Sequence, residues 1–321
     1  MAVYTEVGDT ELEAFLAEYD IGQADSFKGI AEGVENTNYV LTTTGGPTGP
    51  GQYMVTLYEK RVDPGDLPFF LGLMDHLADR GITCPRPIHG RDGKALRTLA
   101  GKPAAITSFL HGMWPRRMTV AHCAPVGETM AAMHLAGQDF AIGRANALSV
   151  AGWRPLWEGA RRHIDAALDR ELGAEIEFFE ANWPRDLPAG VIHADLFNDN
   201  VFFLQDKLSG VIDFYFACND LLAYDVAICL NAWCFEIDNS FNATKARNLL
   251  QGYERVRRLS EDEKQALPLL ARGSALRFLL TRLYDWVHTP PDALVKRKDP
   301  QEYLARLRFH RSATSLSDYG L

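Results

Sequence analysis

The chain is poor in cysteine: five residues in 321, none of them in a C-x-x-C pair. Cys84, Cys123, Cys218, Cys229 and Cys234 are odd in number and widely scattered. That pattern argues against a disulfide framework or a zinc ribbon and leads us to expect reduced, buried thiols. No H-e-x-x-H spacing occurs among the nine histidines, so a zinc hydrolase is not indicated. Positive charge is also short, with 33 Lys and Arg against 42 Asp and Glu for a net −9. A nucleic-acid partner is therefore not expected. The most apolar stretch, 221–235, is too short for a bilayer and is interrupted by Asp225. The opening Met-Ala-Val-Tyr-Thr-Glu lacks the basic and apolar parts of a signal peptide. These absences together lead to the expectation of a cytoplasmic protein with no membrane partner.

What is present is ample core material, 47% hydrophobic residues, in a chain long enough for two domains. The first third reads as strand-rich. A helix at 11–19, with Thr10 as its cap, precedes strands at 26–32, 38–43 and 53–58. A helix from Asp66 and Pro68 to about Arg80 follows, then an antiparallel pair at 95–99 and 103–109. After His111-Gly112 the periodicity turns helical, at 120–135, 153–169, 174–182, 221–235, 244–253, 261–286 and 301–310, with Pro268 expected to kink or split the sixth. The boundary divides the chain into 1–110 and 111–321, a small sheet domain and a larger helical one.

One motif stands above this background. From His193 to Asp213 the chain reads H-x-D-x-x-x-x-N, an apolar strand at 201–204, a polar turn at 205–210, a second strand and a final Asp. A hairpin of that length folds Asn200 back beside Asp213, with Asp195 a few residues upstream. A single Asp or His here is more often a cap or turn residue. The full pattern supplies a base for an attacking hydroxyl and two hard ligands for Mg²⁺ on nucleotide phosphates.

The motif and the order of elements resemble the aminoglycoside-phosphotransferase and choline-kinase-like branch of the protein-kinase fold. Within it, the chain is most similar to the type II homoserine kinases. The likeness covers essentially the whole chain. It is carried by the segments 28–39, 66–70, 193–197, 212–218, 231–235, 277–286 and 298–303 as well as by the motif. It implies an α+β, two-lobed fold, with an antiparallel-sheet N-lobe that binds nucleotide and a helical C-lobe that holds the catalytic loop and acceptor. It also implies ATP and Mg²⁺ as cofactors and L-homoserine as the phosphate acceptor, in threonine biosynthesis.

Carried over by residue, the resemblance makes Asp195 the group that takes the acceptor's proton. It places His193 beside it in the catalytic loop, packing against the loop backbone. Asn200 and Asp213 become the metal ligands. Asp225 becomes a structural residue accepting backbone N–H bonds from the catalytic loop, with a plain helix cap as the alternative. Gly29, Gly33, Asn36, Thr37 and Asn38 would cover the phosphates, and Ser108 and Leu110 would pair with adenine at the hinge. For the acceptor the candidates are Arg282, Asp285 and Trp286 on one helix, and Asp220 after the metal Asp. Arg282 and Asp285, spaced i, i+3, share a face and could equally form a solvated ion pair.

The third strand departs from the family pattern. Thr56 stands where this fold usually carries Lys or Arg, leaving Lys28, Lys60 or Arg61 to supply a cation. The alternatives are a related kinase of choline, an aminoglycoside or a sugar, and, outside the enzymes, a pseudokinase-like module that binds nucleotide without turnover.

Overall fold

The computed structural model describes residues 5–30, 36–47, 49–59, 62–289, 297–313 and 315–319. They form two compact units, residues 1–112 with 209–215, and residues 113–208 with 216–321.

The first unit is built on a five-stranded antiparallel sheet in the order β1-β2-β3-β5-β4. Its strands are β1 (Ala24–Gly29), β2 (Thr37–Gly46), β3 (Gly49–Leu57), β4 (Arg97–Leu99) and β5 (Lys102–Ser108). Along β2, alternate residues Thr37, Tyr39, Leu41 and Thr43 turn inward, the period-2 pattern of a strand with one buried face. On that face lie Leu12, Phe15 and Leu16 of helix α1 (Asp9–Leu16), with Val55, Leu57, Leu99 and Ile106 from the sheet. Helix α1 starts earlier than expected. Gly8, not Thr10, is its cap, because the Glu11 carboxylate accepts the Gly8 N–H at 3.2 Å. Helix α2 (Leu67–Asp79) buries Leu67, Phe69, Phe70, Leu71, Leu73, Met74 and Leu77.

The second unit is mainly helical: α3 (Val120–Ala136), α4 (Val150–Ala160), α5 (Ala166–Asn182), α6 (Leu222–Trp233), α7 (Ala243–Val256), α8 (Glu261–His288) and α9 (Pro300–Ser312). Strands β6 (Ala189–Ile192) and β9 (Cys218–Leu221) pair antiparallel. β7 (Val201–Leu204) and β8 (Lys207–Val211) make the two-stranded hairpin.

Two helix boundaries differ from the sequence expectation. The break between α4 and α5 falls at 161–165 rather than near Gly173, because Asp165 caps the Ala167 and Leu168 N–H groups at 2.9 Å. Gly173 instead lies inside α5, where a Cβ would stand 3.2 Å from the Trp157 ring. Pro268 does not split α8, which runs unbroken for 28 residues. Leu267, Leu270 and Ala271 around it are all buried, and their packing outweighs the one backbone bond a proline removes.

Helices α3 and α7 approach backbone to backbone. A Cβ on Gly127 would sit 2.1 Å from the Leu249 carbonyl oxygen, and one on Gly252 2.1 Å from that of Ala124. All five cysteines are free and buried. Among the described residues no helix is long and apolar enough to cross a membrane.

Candidate active site

Strand β6 delivers the chain at Ile192 into the loop 193–200, and nearly every residue of that loop is tied down. Ala194 adopts a left-handed backbone, φ 62°, a conformation that costs a non-glycine residue about 1–2 kcal/mol. Both sides of it are held. The His193 and Ala194 N–H groups donate to the two oxygens of Asp225, each at 2.9 Å, and the Ala194 carbonyl accepts from Arg277 Nη1. His193 Nδ1 accepts the Asp195 N–H at 3.3 Å. The Leu196 carbonyl accepts from Trp233 Nε1 at 2.8 Å. Asn198 Nδ2 donates to the Pro115 carbonyl at 3.1 Å.

Asn200 closes the loop on itself. Its Nδ2 donates to the Asp195 backbone oxygen at 2.8 Å and to Asp195 Oδ2 at 3.2 Å. That fixes the Asp195 carboxylate and turns the other end of the amide, Oδ1, away as a hard oxygen donor. His193, Asp195, Asn200 and Asp225 therefore lie in one bonded group.

Asp225 is a loop anchor, and the cap alternative is set aside. It sits in the first turn of α6, which has no side-chain cap bond, and its oxygens are taken by the loop amides and by His134 Nε2 at 3.1 Å. Complete burial would raise its carboxyl pKa. The bond from His134, the favourable electrostatics of the His134 and His193 rings and the His193 N–H outweigh that, and the net direction is down. Asp225 is held as a carboxylate.

Asp213, at the end of the hairpin and in the first unit, has φ 65°, a second non-glycine residue in the left-handed region. The neighbouring Tyr215 hydroxyl lies 3.2 Å from that of Tyr58. Burial pushes the Tyr215 phenol up to about 12, and the Asp213 charge pushes the same way. Among the described residues no group of three or more His, Cys, Asp or Glu is arranged as a metal cage. Carboxamide and carboxylate oxygens are the hard donors that Mg²⁺ takes.

The nucleotide candidates lie in the first unit, except that Gly33 falls outside the described residues, as do Lys60 and Arg61. Gly29 ends β1. The side chains of the others are taken up within the sheet. Asn36 Oδ1 accepts the Glu59 N–H at 3.2 Å, and Thr37 Oγ1 donates to Glu59 Oε1 at 2.9 Å. Asn38 Oδ1 accepts from the Thr56 hydroxyl at 2.8 Å, across the β2–β3 pair. Thr56 thus serves as a cross-strand bond where a cation is usual.

Glu59 forms the ion pair of this region, 3.0 Å from Lys102 Nζ, a lysine of β5 that the sequence reading passed over. Lys28 is exposed on β1. At the end of β5, Ser108 N–H donates to the Arg86 carbonyl at 2.8 Å and its Oγ accepts the Arg86 N–H at 2.9 Å. Its own N–H is therefore engaged within the protein. Leu110, half-buried, packs against Gly210.

The acceptor candidates behave differently from the loop. Arg282 does not pair with Asp285. Its Nη1 reaches Glu302 Oε2 at 2.6 Å and the Asp299 carbonyl at 3.0 Å, because α9 lies alongside α8 and presents its first turn there. Asp285 is exposed, and Trp286 is 45% exposed with the Arg297 guanidinium 5.0 Å over its ring. Asp220 Oδ2 accepts from Asn146 Nδ2 and Oδ1 from the Leu221 N–H, both at 2.7 Å.

Sequence reading did not place three residues at the loop. Arg277 reaches the loop from the middle of α8 and His134 from α3. Lys298 Nζ stands 5.6 Å over the Phe197 ring and 3.9 Å from Asp199 Oδ2. None has a local motif; each is brought to the loop by helix packing.

A carboxylate and a carboxamide locked together on a strained, anchored loop are chemistry suited to phosphoryl transfer. The family model of the phosphotransferase enzyme family matches residues 26–259, and the chain belongs to that family. Over its full length it is 66% identical to the homoserine kinase of Paramagnetospirillum magneticum, covering all of that protein. It is 63% identical to the homoserine kinase of Bradyrhizobium diazoefficiens, covering 98% of it. The α+β fold is shared with an amicoumacin kinase (TM-score 0.68, 14% identity, 95% of this chain and 92% of that one). It is shared too with a choline kinase from Cryptosporidium parvum (TM-score 0.65, 15% identity, 92% and 90%). The protein-kinase-like architecture expected from the motif is the one observed.

Proposed function

We infer that the chain transfers the γ-phosphoryl group of ATP, as its Mg²⁺ complex, to the side-chain hydroxyl of L-homoserine, yielding O-phospho-L-homoserine for threonine synthesis. The observation that carries this is the 66% identity, across every residue of the chain, to a protein named homoserine kinase. Divergence at that level leaves a catalytic loop and an acceptor site little room to change purpose.

The roles we propose follow from the loop's chemistry. Asp195, its carboxylate fixed by Asn200, accepts the hydroxyl proton as the oxygen attacks. His193 serves the loop rather than the proton, since its Nδ1 accepts the Asp195 N–H. Asn200 Oδ1 and Asp213 would hold Mg²⁺, which, when bound, neutralises charge on the phosphates. Residues 1–110 would carry the nucleotide, contributing backbone groups of Gly29 to Asn38 and of Ser108 and Leu110. Residues 111–321 would carry the acceptor, with Arg282, Asp285, Trp286 and Asp220 as candidates for its two charges. A cytoplasmic location agrees with five free, buried thiols and with a dependence on ATP.

The test is a panel of acceptors with Mg²⁺-ATP. We expect L-homoserine to be the best, and analogues lacking the amino or the carboxylate group to be poor, because each loss leaves a buried polar group unpaired. Choline and aminoglycosides should be weak. A kcat/KM for choline above that for homoserine would reject the assignment.

A further inference from the structure

Behind Asp225 a line of buried side chains continues to the junction of α7 and α8. His134 Nδ1 lies 2.8 Å from the Tyr253 hydroxyl, and that hydroxyl lies 3.0 Å from Arg257 Nη1. Arg257 Nη2 stands 2.9 Å from Glu263 Oε1, and the other Glu263 oxygen accepts the Ser260 N–H at 2.9 Å, capping α8. His134, Tyr253 and Glu263 are each at most 1% exposed.

The donors run one way. With the His134 Nε2 proton facing Asp225, Nδ1 accepts from the Tyr253 O–H, and the Tyr253 oxygen accepts from Arg257. Each bond polarises the next toward the carboxylate that holds the loop. The approach of α3 to α7 at Gly127 and Gly252 brings His134 and Tyr253 into reach.

The same helix closes the circuit from the other side. Glu263 lies in the first turn of α8, and fourteen residues on, Arg277 of α8 binds the Ala194 carbonyl. The left-handed Ala194 is thus gripped at its N–H through α6, α3 and α7, and at its C=O directly, with both arms ending on one helix.

We propose that Tyr253 and Arg257 are positioning residues for phosphoryl transfer: through His134 and Asp225 they set the backbone of the loop that aims Asp195. This rests on the reading of Asp195 as the group serving the acceptor hydroxyl. They reach the loop only through His134 and Asp225, so we expect them to act on turnover and leave substrate binding alone.

The test compares Tyr253→Phe, which removes one oxygen, with Arg257→Lys, which keeps a cation for Glu263 and loses the fork that reaches Tyr253. Arg255→Gln is the control, since Arg255 is exposed on the same helix and pairs with Glu128 at the surface. We expect Tyr253→Phe to lower kcat about tenfold, below the roughly 10²-fold that a 1 Å misplacement can cost. KM for ATP and for homoserine should hold within about twofold. The His193 and Ala194 amides should exchange with solvent faster by NMR. Arg257→Lys should show a smaller version of both changes, the double variant should be no worse than Tyr253→Phe, and Arg255→Gln should match the parent.

An unchanged kcat, or unchanged His193 and Ala194 exchange, in a folded Tyr253→Phe enzyme would overturn the proposal. If that variant does not fold, Arg257→Lys decides by the same two readouts. Amide exchange is measured without turnover, so a parent inactive on homoserine would count against the assigned reaction and leave the exchange arm intact.

Discussion

The loop 193–200 and the last turns of α8 both carry charged candidates for catalysis, and they hold them in opposite ways. At the loop, the charges of Asp225 from α6 and Arg277 from α8 are buried at 0% and 1% exposure and bind its backbone, so they act as fixtures. At the end of α8, Arg282 pairs with a half-exposed Glu302, while Asp285 and Trp286 face solvent. Removing one partner of a buried charged group costs about 3–5 kcal/mol, whereas an exposed pair contributes about 0–1 kcal/mol. The difference teaches that the loop is built for precision of the reacting groups. The helix end keeps its charges more exposed and adjustable, as the role proposed for them with the acceptor requires.

The metal candidates break the comparison most sharply. Replacing Asp213 by Asn keeps a residue tolerant of φ 65° and removes the charge, and we expect turnover to fall about 10³-fold. Asn200→Ala loses only a dipole at the metal and the hold on Asp195, and should cost about 10²-fold. Turnover measured against Mg²⁺ concentration separates them; equal and small losses would move the metal elsewhere.

Asp225→Asn comes next. An amide presents a donor to groups that already donate, from His193, Ala194 or His134. Stability in urea should drop by about 3–5 kcal/mol. The kcat of the folded fraction should fall about 10²-fold with little change in KM. A stable, fast enzyme would show that the loop does not depend on its anchor.

The smallest effect belongs to Arg282→Ala. Stability should change by less than about 1 kcal/mol. KM for homoserine should rise about three- to tenfold while KM for ATP is unchanged, as expected when binding common to ground and transition states is removed. An unchanged homoserine-to-choline ratio of kcat/KM would leave Arg282 as a strut between α8 and α9.

How much of this was legible depended on whether the information was local. The H-x-D-x-x-x-x-N pattern and its hairpin lie within about 20 residues, so the catalytic loop could be read directly. The strands of the sheet, though not their order, followed from turn residues and period-2 alternation. What escaped were pairings set by helix packing. The bond from Arg277 to Ala194 spans 83 positions, and the one from His134 to Asp225 spans 91. Arg282 was matched to Asp285 because i, i+3 neighbours are visible in sequence and Glu302, on another helix, is not. The helix break expected between 169 and 174 falls instead at 161–165, because the Asp165 cap there is one of many plausible caps in sequence and the Trp157 ring packed on Gly173 is not visible in it.

The most direct test is Asp195→Asn, followed by ³¹P NMR with Mg²⁺-ATP and L-homoserine. The account predicts a folded protein that binds Mg²⁺-ATP as the parent does and forms the phosphomonoester about 10²–10⁴ times more slowly. Phosphomonoester formation at close to the parent rate would contradict it.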